Sequence, residues 1–379
     1  MFTLPSPDSE RKSQQKPVEQ HKSKKNLQIE GLRSIGLTNP AKPAKRIIES
    51  LYVLKAICAF FVISIHVTVI IPHTILQPIA GVGTPCFLCI TGYLLYSANR
   101  ERELGKCVAW AKKCFWLALV FNLFYAVVAY FFYPAALYPW TLEQCLRLFV
   151  LGRGIQGSNL WYLTALWEAL LVMWLILKYA PGLIRYLPLL FIIAFICRNV
   201  EAIPTLTEKY RLLYLYFRLN MFAMSLPFLA TGYLIHKYQD KILNSIKVEV
   251  CLLSSFLLIF AECLVRKKTG IPCNYFFLFT YPFVVFLILL CIKYQNFTLP
   301  IIGAIGKHHS PNIYYFHGFY IWLLSSVCLP LTDSFIPSLC IYIACLPLSF
   351  GFNIISKYWI TKAWKPLQRT ICSYTEEKT

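Results

Sequence analysis

Lys55 and His66 stand eleven positions apart in one strongly apolar run, LYVLKAICAFFVISIHVTVII. Eleven helical steps of about 100° return to within about 20° of the starting direction, about 16 Å further along, so the ammonium and the imidazole share a face. Ionisable side chains at membrane depth mark functional sites by default. A neutral imidazole there can take a proton from a hydroxyl as general base. The plain alternative satisfies His66 on a backbone carbonyl. Lys55 also has two readings: a buried charge that steadies an anion, or a long stem that snorkels to the headgroups from near the inner helix end.

Further candidates follow along the chain. Arg100, Arg102, Lys106, Lys112 and Lys113 lie between the second and third apolar runs. They serve either as a positive-inside retention signal or as a clamp for a phosphate-bearing cosubstrate arriving from the cytoplasm. In NLWYLTALWEALLVM, Trp161 and Glu168 are seven apart and fall on nearly the same helical face. A carboxylate in lipid must be protonated or paired, and Lys55 is one candidate partner for Glu168. Glu262 precedes Arg266 by four, the spacing of an interfacial ion pair. In KHHSPNIYYFHGFYIW, His308 and His309 fall in an inner loop with a structural role, whereas His317 enters the helix after Tyr314 and Tyr315. His317 is placed to orient a substrate or to support His66.

Competing chemistry has no signature here. The chain contains no Walker-type GKS or GKT, no HExxH, no two CxxC motifs to pair (only Cys86-Phe87-Leu88-Cys89, inside an apolar run) and no Gly-x-Ser-x-Gly, which argues against nucleotide-driven pumping, zinc proteolysis and any metal site of those kinds. Fifteen cysteines suggest a disulfide framework, but most sit in apolar runs, where cysteine behaves as a small hydrophobe and stays a free thiol. Cys145 and Cys273 are the outer-loop residues that an oxidising exterior would pair.

The elements that must hold these residues are transmembrane helices. With 58% hydrophobic and 14% charged residues over 379 positions, the chain reads as a polytopic all-α membrane bundle. Ten spans are expected, at 48–71, 80–98, 114–134, 160–178, 183–198, 217–236, 248–265, 274–292, 311–329 and 335–357. An even count puts both termini in the cytoplasm and most of the 37 Lys and Arg residues on the inner side. The fifth span is the weak one, being short and followed by a basic outer loop with Arg198, Lys209, Arg211 and Arg218. Making it re-entrant would carry the basic end KYWITKAWKPLQR outside, a worse fit to the charge rule.

Residues 1–46 are a basic tail that lies on anionic headgroups, and it carries much of the net charge of +20, so nucleic-acid binding is a poor explanation. The membrane domain spans 47–362 and a short cytoplasmic tail covers 363–379. Two runs, PCFLCITGYLL from Pro85 and PFLATGYLI from Pro227, both end in Thr-Gly-Tyr-Leu. A glycine at such a place lets backbones approach closely. Chance similarity between apolar runs explains the likeness better than duplication.

Taken together, these residues resemble the integral-membrane family often called acyltransferase 3, whose bacterial members O-acetylate surface polysaccharides and other extracytoplasmic glycans. Lys55 and His66 match its basic residue, ten positions and histidine. Pro85, Phe87, Thr91, Gly92, Tyr93 and Leu94 match its second helix; Leu160, Trp161 and Tyr162 match a Leu-Trp-aromatic helix start; Ser310, Ile313, Tyr314 and His317 match its late Ser-x-x-x-Ile-Tyr-x-x-His string. The departures are Lys55 for the usual arginine, Tyr52 where an acidic residue commonly stands, Thr91 for serine, and a loose cationic cluster in place of paired arginines.

The resemblance implies acyl transfer from cytoplasmic acyl-CoA, most often acetyl-CoA, to a hydroxyl of a surface polysaccharide or lipid-linked glycan, by a multi-pass protein of the cell membrane. No cofactor is permanently bound. His66, Lys55 and His317 would be catalytic. Arg100, Arg102, Lys112 and Lys113 would hold the acyl-CoA, and Trp161, Glu168 and Tyr314 would contact substrate. A proton-coupled transporter or flippase of a lipid-linked saccharide is the rival reading of the same buried Lys, His and Glu.

Overall fold

The computed structural model describes residues 48–68, 77–132, 160–200, 221–269, 277–326 and 335–359, and every regular element among them is helical. Eleven α-helices longer than one turn make up this part: α1 (Glu49–Thr68), α2 (Gly83–Leu95), α3 (Arg100–Phe132), α4 (Trp161–Tyr179), α5 (Leu190–Val200), α6 (Leu226–Ser245), α7 (Val248–Thr269), α8 (Thr280–Lys293), α9 (Pro300–His308), α10 (Ser310–Ser326) and α11 (Phe335–Trp359). A 3-10 helix, Pro181–Leu189, runs into α5, and a π turn, Met221–Ser225, into α6. Among the described residues, α1, α3, α4, α7 and α11 are long and apolar enough to cross a bilayer, and the other apolar helices are shorter. Outward faces are apolar as well, with Trp116, Leu123 and Phe131 on α3 and Leu253, Leu257 and Leu264 on α7 exposed. Hydrocarbon accommodates such a surface and water does not.

The tightest packing is α2 against α6, followed by α3 against α4 and α9 against α1. The two Thr-Gly-Tyr-Leu runs are the α2–α6 crossing itself. A methyl on Gly92 would strike the carbonyl oxygen of Leu229, and a methyl on Gly232 that of Cys89, the same three-residue offset read in both directions. Each preceding threonine turns its hydroxyl onto its own helix: Thr91 Oγ1 donates to Phe87 O at 2.8 Å and Thr231 Oγ1 to Pro227 O at 2.6 Å. Polar atoms are thereby satisfied without separating the backbones. Gly306 lets α9 lie directly on the Tyr52 carbonyl of α1.

Two hydrophobic clusters fill the bundle. The larger gathers the first half of α1 with α2, α4, α6 and α8, and includes Cys58, Leu88, Leu170, Phe228 and Ile288. The second gathers the end of α1 with α3, the start of α4, α10 and α11, and includes Ile63, Val67, Phe121, Tyr125, Tyr314 and Phe316. Outside the clusters, Arg266 donates twice to Glu262 Oε1, at 2.6 and 3.1 Å, and its guanidinium lies 5.0 Å from the Phe277 ring. That pair ties α7 to the approach to α8.

Several expectations need correction. The basic loop expected between the second and third spans is the opening of α3, a helix of 33 residues. Asn99 caps it by accepting the Arg102 amide on Oδ1 at 3.1 Å, and Glu101 and Glu103 lie in its first turn, both favourable at a helix N-terminus. The expected inner loop before the ninth span holds α9, which starts on Pro300, a residue suited to a first helical turn. The weak fifth span is part 3-10 because Pro188 offers no amide to an α ladder. The stretch Pro181–Ile196 is one of the shorter apolar helices, below the length of the five that could cross a bilayer.

Ten cysteines among the described residues are free thiols. Cys145 and Cys273, the tail over 1–46 and the segment 363–379 lie outside the described residues.

Candidate active site

His66, two residues from the end of α1, meets His317, seven residues into α10. The ring centroids are 5.3 Å apart with planes at 33°. His317 is fully buried and His66 partly so. His317 Nδ1 lies 2.6 Å from the Tyr314 carbonyl oxygen. A carbonyl only accepts, so Nδ1 carries the hydrogen and Nε2 is the basic nitrogen. Tyr314 packs 5.6 Å from His317 and, edge to face, 5.2 Å from Tyr162 of α4. The Tyr162 hydroxyl bonds the Thr91 side chain and borders Cys114 on α3.

The cationic part of the site lies toward the start of the same helices. Lys55 Nζ is 6.0 Å from the centroid of the Tyr52 ring, and Lys307 Nζ, from the last turn of α9, is 5.5 Å from the same centroid. Lys113 on α3 is close enough to oppose the charge of Lys55. Cys114, next to Lys113 in sequence, lies in the neighbourhood of Tyr162, and ring contacts run from Tyr162 to Tyr314, His317 and His66. Five helices, α1, α3, α4, α9 and α10, supply the three ammonium groups, the tyrosines and the histidine pair. The arrangement suits an anionic donor whose reactive end extends away from its phosphates.

Not every expected residue joins this site. Lys55 and Glu168 form no ion pair; Lys55 turns to Tyr52, and Glu168 has no ion pair or hydrogen bond among the described residues. Trp161 packs on the larger cluster, its ring 6.4 Å from that of Tyr162, rather than on the histidines. Arg100 is held by Glu103 at 3.4 Å, and Glu103 also accepts the Ser97 amide and the Tyr233 hydroxyl. Lys106 caps α2, its Nζ donating to the carbonyls of Leu94, Leu95 and Tyr96 at 2.8 to 3.1 Å. Arg102 and Lys112 are exposed. Arg100 and Lys113 are thirteen residues apart on one helix, about 20 Å, so one phosphate cannot engage the whole expected set.

His308 and His309 belong to a separate network. His309 Nδ1 is 2.8 Å from Ser349 Oγ, and Asn353 Nδ2 donates to His308 O at 2.9 Å, which fastens the α9–α10 joint to α11. Sequence reasoning missed Lys307 and the part played by Tyr52, because their proximity depends on α9 lying along α1. Tyr162 carried a signal as the aromatic after Trp161, but its reach to Thr91 and Tyr314 did not show.

Comparison with known proteins bears on the family. A family model described as an acyltransferase domain, acyltransferase 3, matches residues 48–356 and so contains every residue of the site. No curated protein and no solved structure matches the chain. With the match covering nearly all of the helical region, the chain belongs to the acyltransferase 3 family of membrane acyltransferases.

Proposed function

We propose that the protein moves an acetyl group from cytoplasmic acetyl-CoA to a hydroxyl of a surface polysaccharide or lipid-linked glycan at the outer face of the cell membrane. The observation that carries this reading is the His66–His317 ring pair, with Lys55, on the same helix as His66, grouped with Lys307 over the Tyr52 ring and with Lys113 nearby. In it the membrane domain, 47–362, crosses ten times with both termini cytoplasmic, which puts the start of α1, and hence Lys55, on the CoA side.

The lysines hold the phosphates of CoA, and the pantetheine arm follows Tyr162 and Tyr314 to the imidazoles. His66 takes the proton of the acceptor hydroxyl as its oxygen attacks the thioester carbonyl. The C–S bond then breaks, and the proton returns to the departing thiolate to give free CoA thiol. In the two-step version the His66 nitrogen attacks the thioester carbonyl and the C–S bond breaks, CoA leaving as its thiol with the imidazole proton. The acceptor oxygen then attacks the acetyl-imidazole, and as the C–N bond breaks the hydroxyl proton restores the imidazole. Nε2 of His317 supports His66 in either version, and Lys55 steadies the developing negative charge. Glu168 and Trp161 line the approach of the acceptor.

The test incubates purified protein with labelled acetyl-CoA and a membrane glycan extract, beside His66→Ala. Label in glycan that disappears in the variant supports the reading. Equal transfer by the variant removes His66 from the chemistry, and glycan movement across vesicles without acetylation points to a carrier.

A further inference from the structure

Helix α3 grips α10 on both sides of His317. Phe121 lies 4.5 Å from the Tyr315 ring and 5.4 Å from the Phe316 ring. One turn further on, Tyr125 places its hydroxyl between two backbone groups of α10, donating to Tyr315 O at 2.7 Å and accepting from Phe319 N at 3.2 Å. Those are the carbonyl and amide that an α-helix joins directly, and a side chain lodged in that ladder bends or opens the helix locally. His317 lies midway between the two residues so bridged. Its own Nδ1 hydrogen is committed to Tyr314 O, the carbonyl just before Tyr315.

The contact is specific to a tyrosine. Both functions of the hydroxyl are used in a buried setting, and the ring packs 5.7 Å from Trp322 and 5.3 Å from Phe124. A phenylalanine would keep the packing and remove the hydroxyl bridge that ties this turn of α10 to α3. The imidazole one half-turn away would then move relative to His66, which belongs to a different helix and would stay in place. Losses of about a hundredfold from displacements of about 1 Å are ordinary where reacting groups must be aligned.

We propose that Tyr125 is a positioning residue for His317, its hydroxyl bridging and fixing the turn from which the imidazole reaches His66. The inference rests on the acyl-transfer reading of the histidine pair, and two measurements keep the two apart. In full-length Tyr125→Phe purified in detergent, acetyl-transfer kcat per folded molecule falls about ten- to a hundredfold, while KM for acetyl-CoA stays within about twofold and the pH profile of kcat is displaced. Without substrate, the rate at which diethyl pyrocarbonate modifies His317, followed by peptide mass spectrometry, differs from wild type in Tyr125→Phe. It does not differ in Tyr130→Phe, which alters an exposed tyrosine of the same helix. Unchanged kcat and unchanged His317 reactivity overturn the proposal. So does a fall in stability with full turnover per folded molecule, because that is a purely structural role. If wild-type protein transfers no acetyl group, the acyl-transfer reading fails by itself, and the modification rate still decides whether Tyr125 sets His317.

Discussion

Lys55 and Lys307 hold their ammonium groups over one and the same ring, that of Tyr52, at 6.0 and 5.5 Å. Neither forms an ion pair with a carboxylate among the described residues, and Lys113 adds a third positive charge nearby. An aromatic face attracts cations but does not neutralise them. Such a collection of like charges is relieved by an anion of the kind CoA supplies. Lys307→Ala is therefore expected to raise KM for acetyl-CoA about tenfold, equivalent to about 1.4 kcal/mol, with kcat within about twofold. Acetyl-pantetheine, which lacks the phosphates, gives the control: its KM is the same in variant and wild type. A Lys307→Ala enzyme with wild-type KM for acetyl-CoA would show that the cluster faces something else. The increase should also shrink as salt is added, since Lys307 is exposed.

The ring contact between His66 and His317 makes a different prediction, about how their roles combine. Removing a positioned general base costs about 10²- to 10⁴-fold in kcat. Two residues that act as one unit lose the same contribution whichever is removed, so their effects do not add. We expect His66→Ala and His317→Ala each to lower kcat about a thousandfold, and the double variant to fall no more than a few-fold further. The check is a four-corner cycle of acetyl transfer under saturating donor. Multiplying losses, with a double variant near a millionfold down, would mean the imidazoles serve separate steps.

What the sequence disclosed and what it hid follow from the range of the interactions. Lys55 and His66 could be assigned to one face because both lie on one helix, where spacing alone fixes direction. The apolar runs located the five helices long enough to cross a bilayer for the same reason. The start of α3 was hidden because a charged segment beside an apolar one looks like a loop, although Asn99 and the acidic first turn were legible capping signals. Lys307 could not be found, since nothing local says that α9 lies against Tyr52. The repeated Thr-Gly-Tyr-Leu is an intermediate case. Its likeness was visible and the need for close approach was inferred, but only the fold shows that the two copies meet each other.

That meeting gives the glycines of this chain opposite predicted effects on stability. Gly92 and Gly232 sit where any methyl collides with the facing helix's carbonyl, an atom that cannot rotate away, so the α2–α6 crossing would have to open. Overpacking of this kind costs about 1–3 kcal/mol and more where backbone must move. Gly232→Ala should accordingly lower the melting temperature in detergent or abolish recovery of monodisperse protein, and Gly92→Ala should do the same. Gly105 is the counterpart, exposed on α3 with no atom within 4 Å of where a Cβ would stand. There alanine removes backbone freedom from the unfolded chain and improves helix propensity, so Gly105→Ala is expected to stabilise by about 0.5–1 kcal/mol. Both effects can be read in one thermal-shift series. If Gly232→Ala melted with wild type, the two helices could not be as close as their shared motif requires, and the frame that aligns Thr91 with Tyr162 would need another explanation.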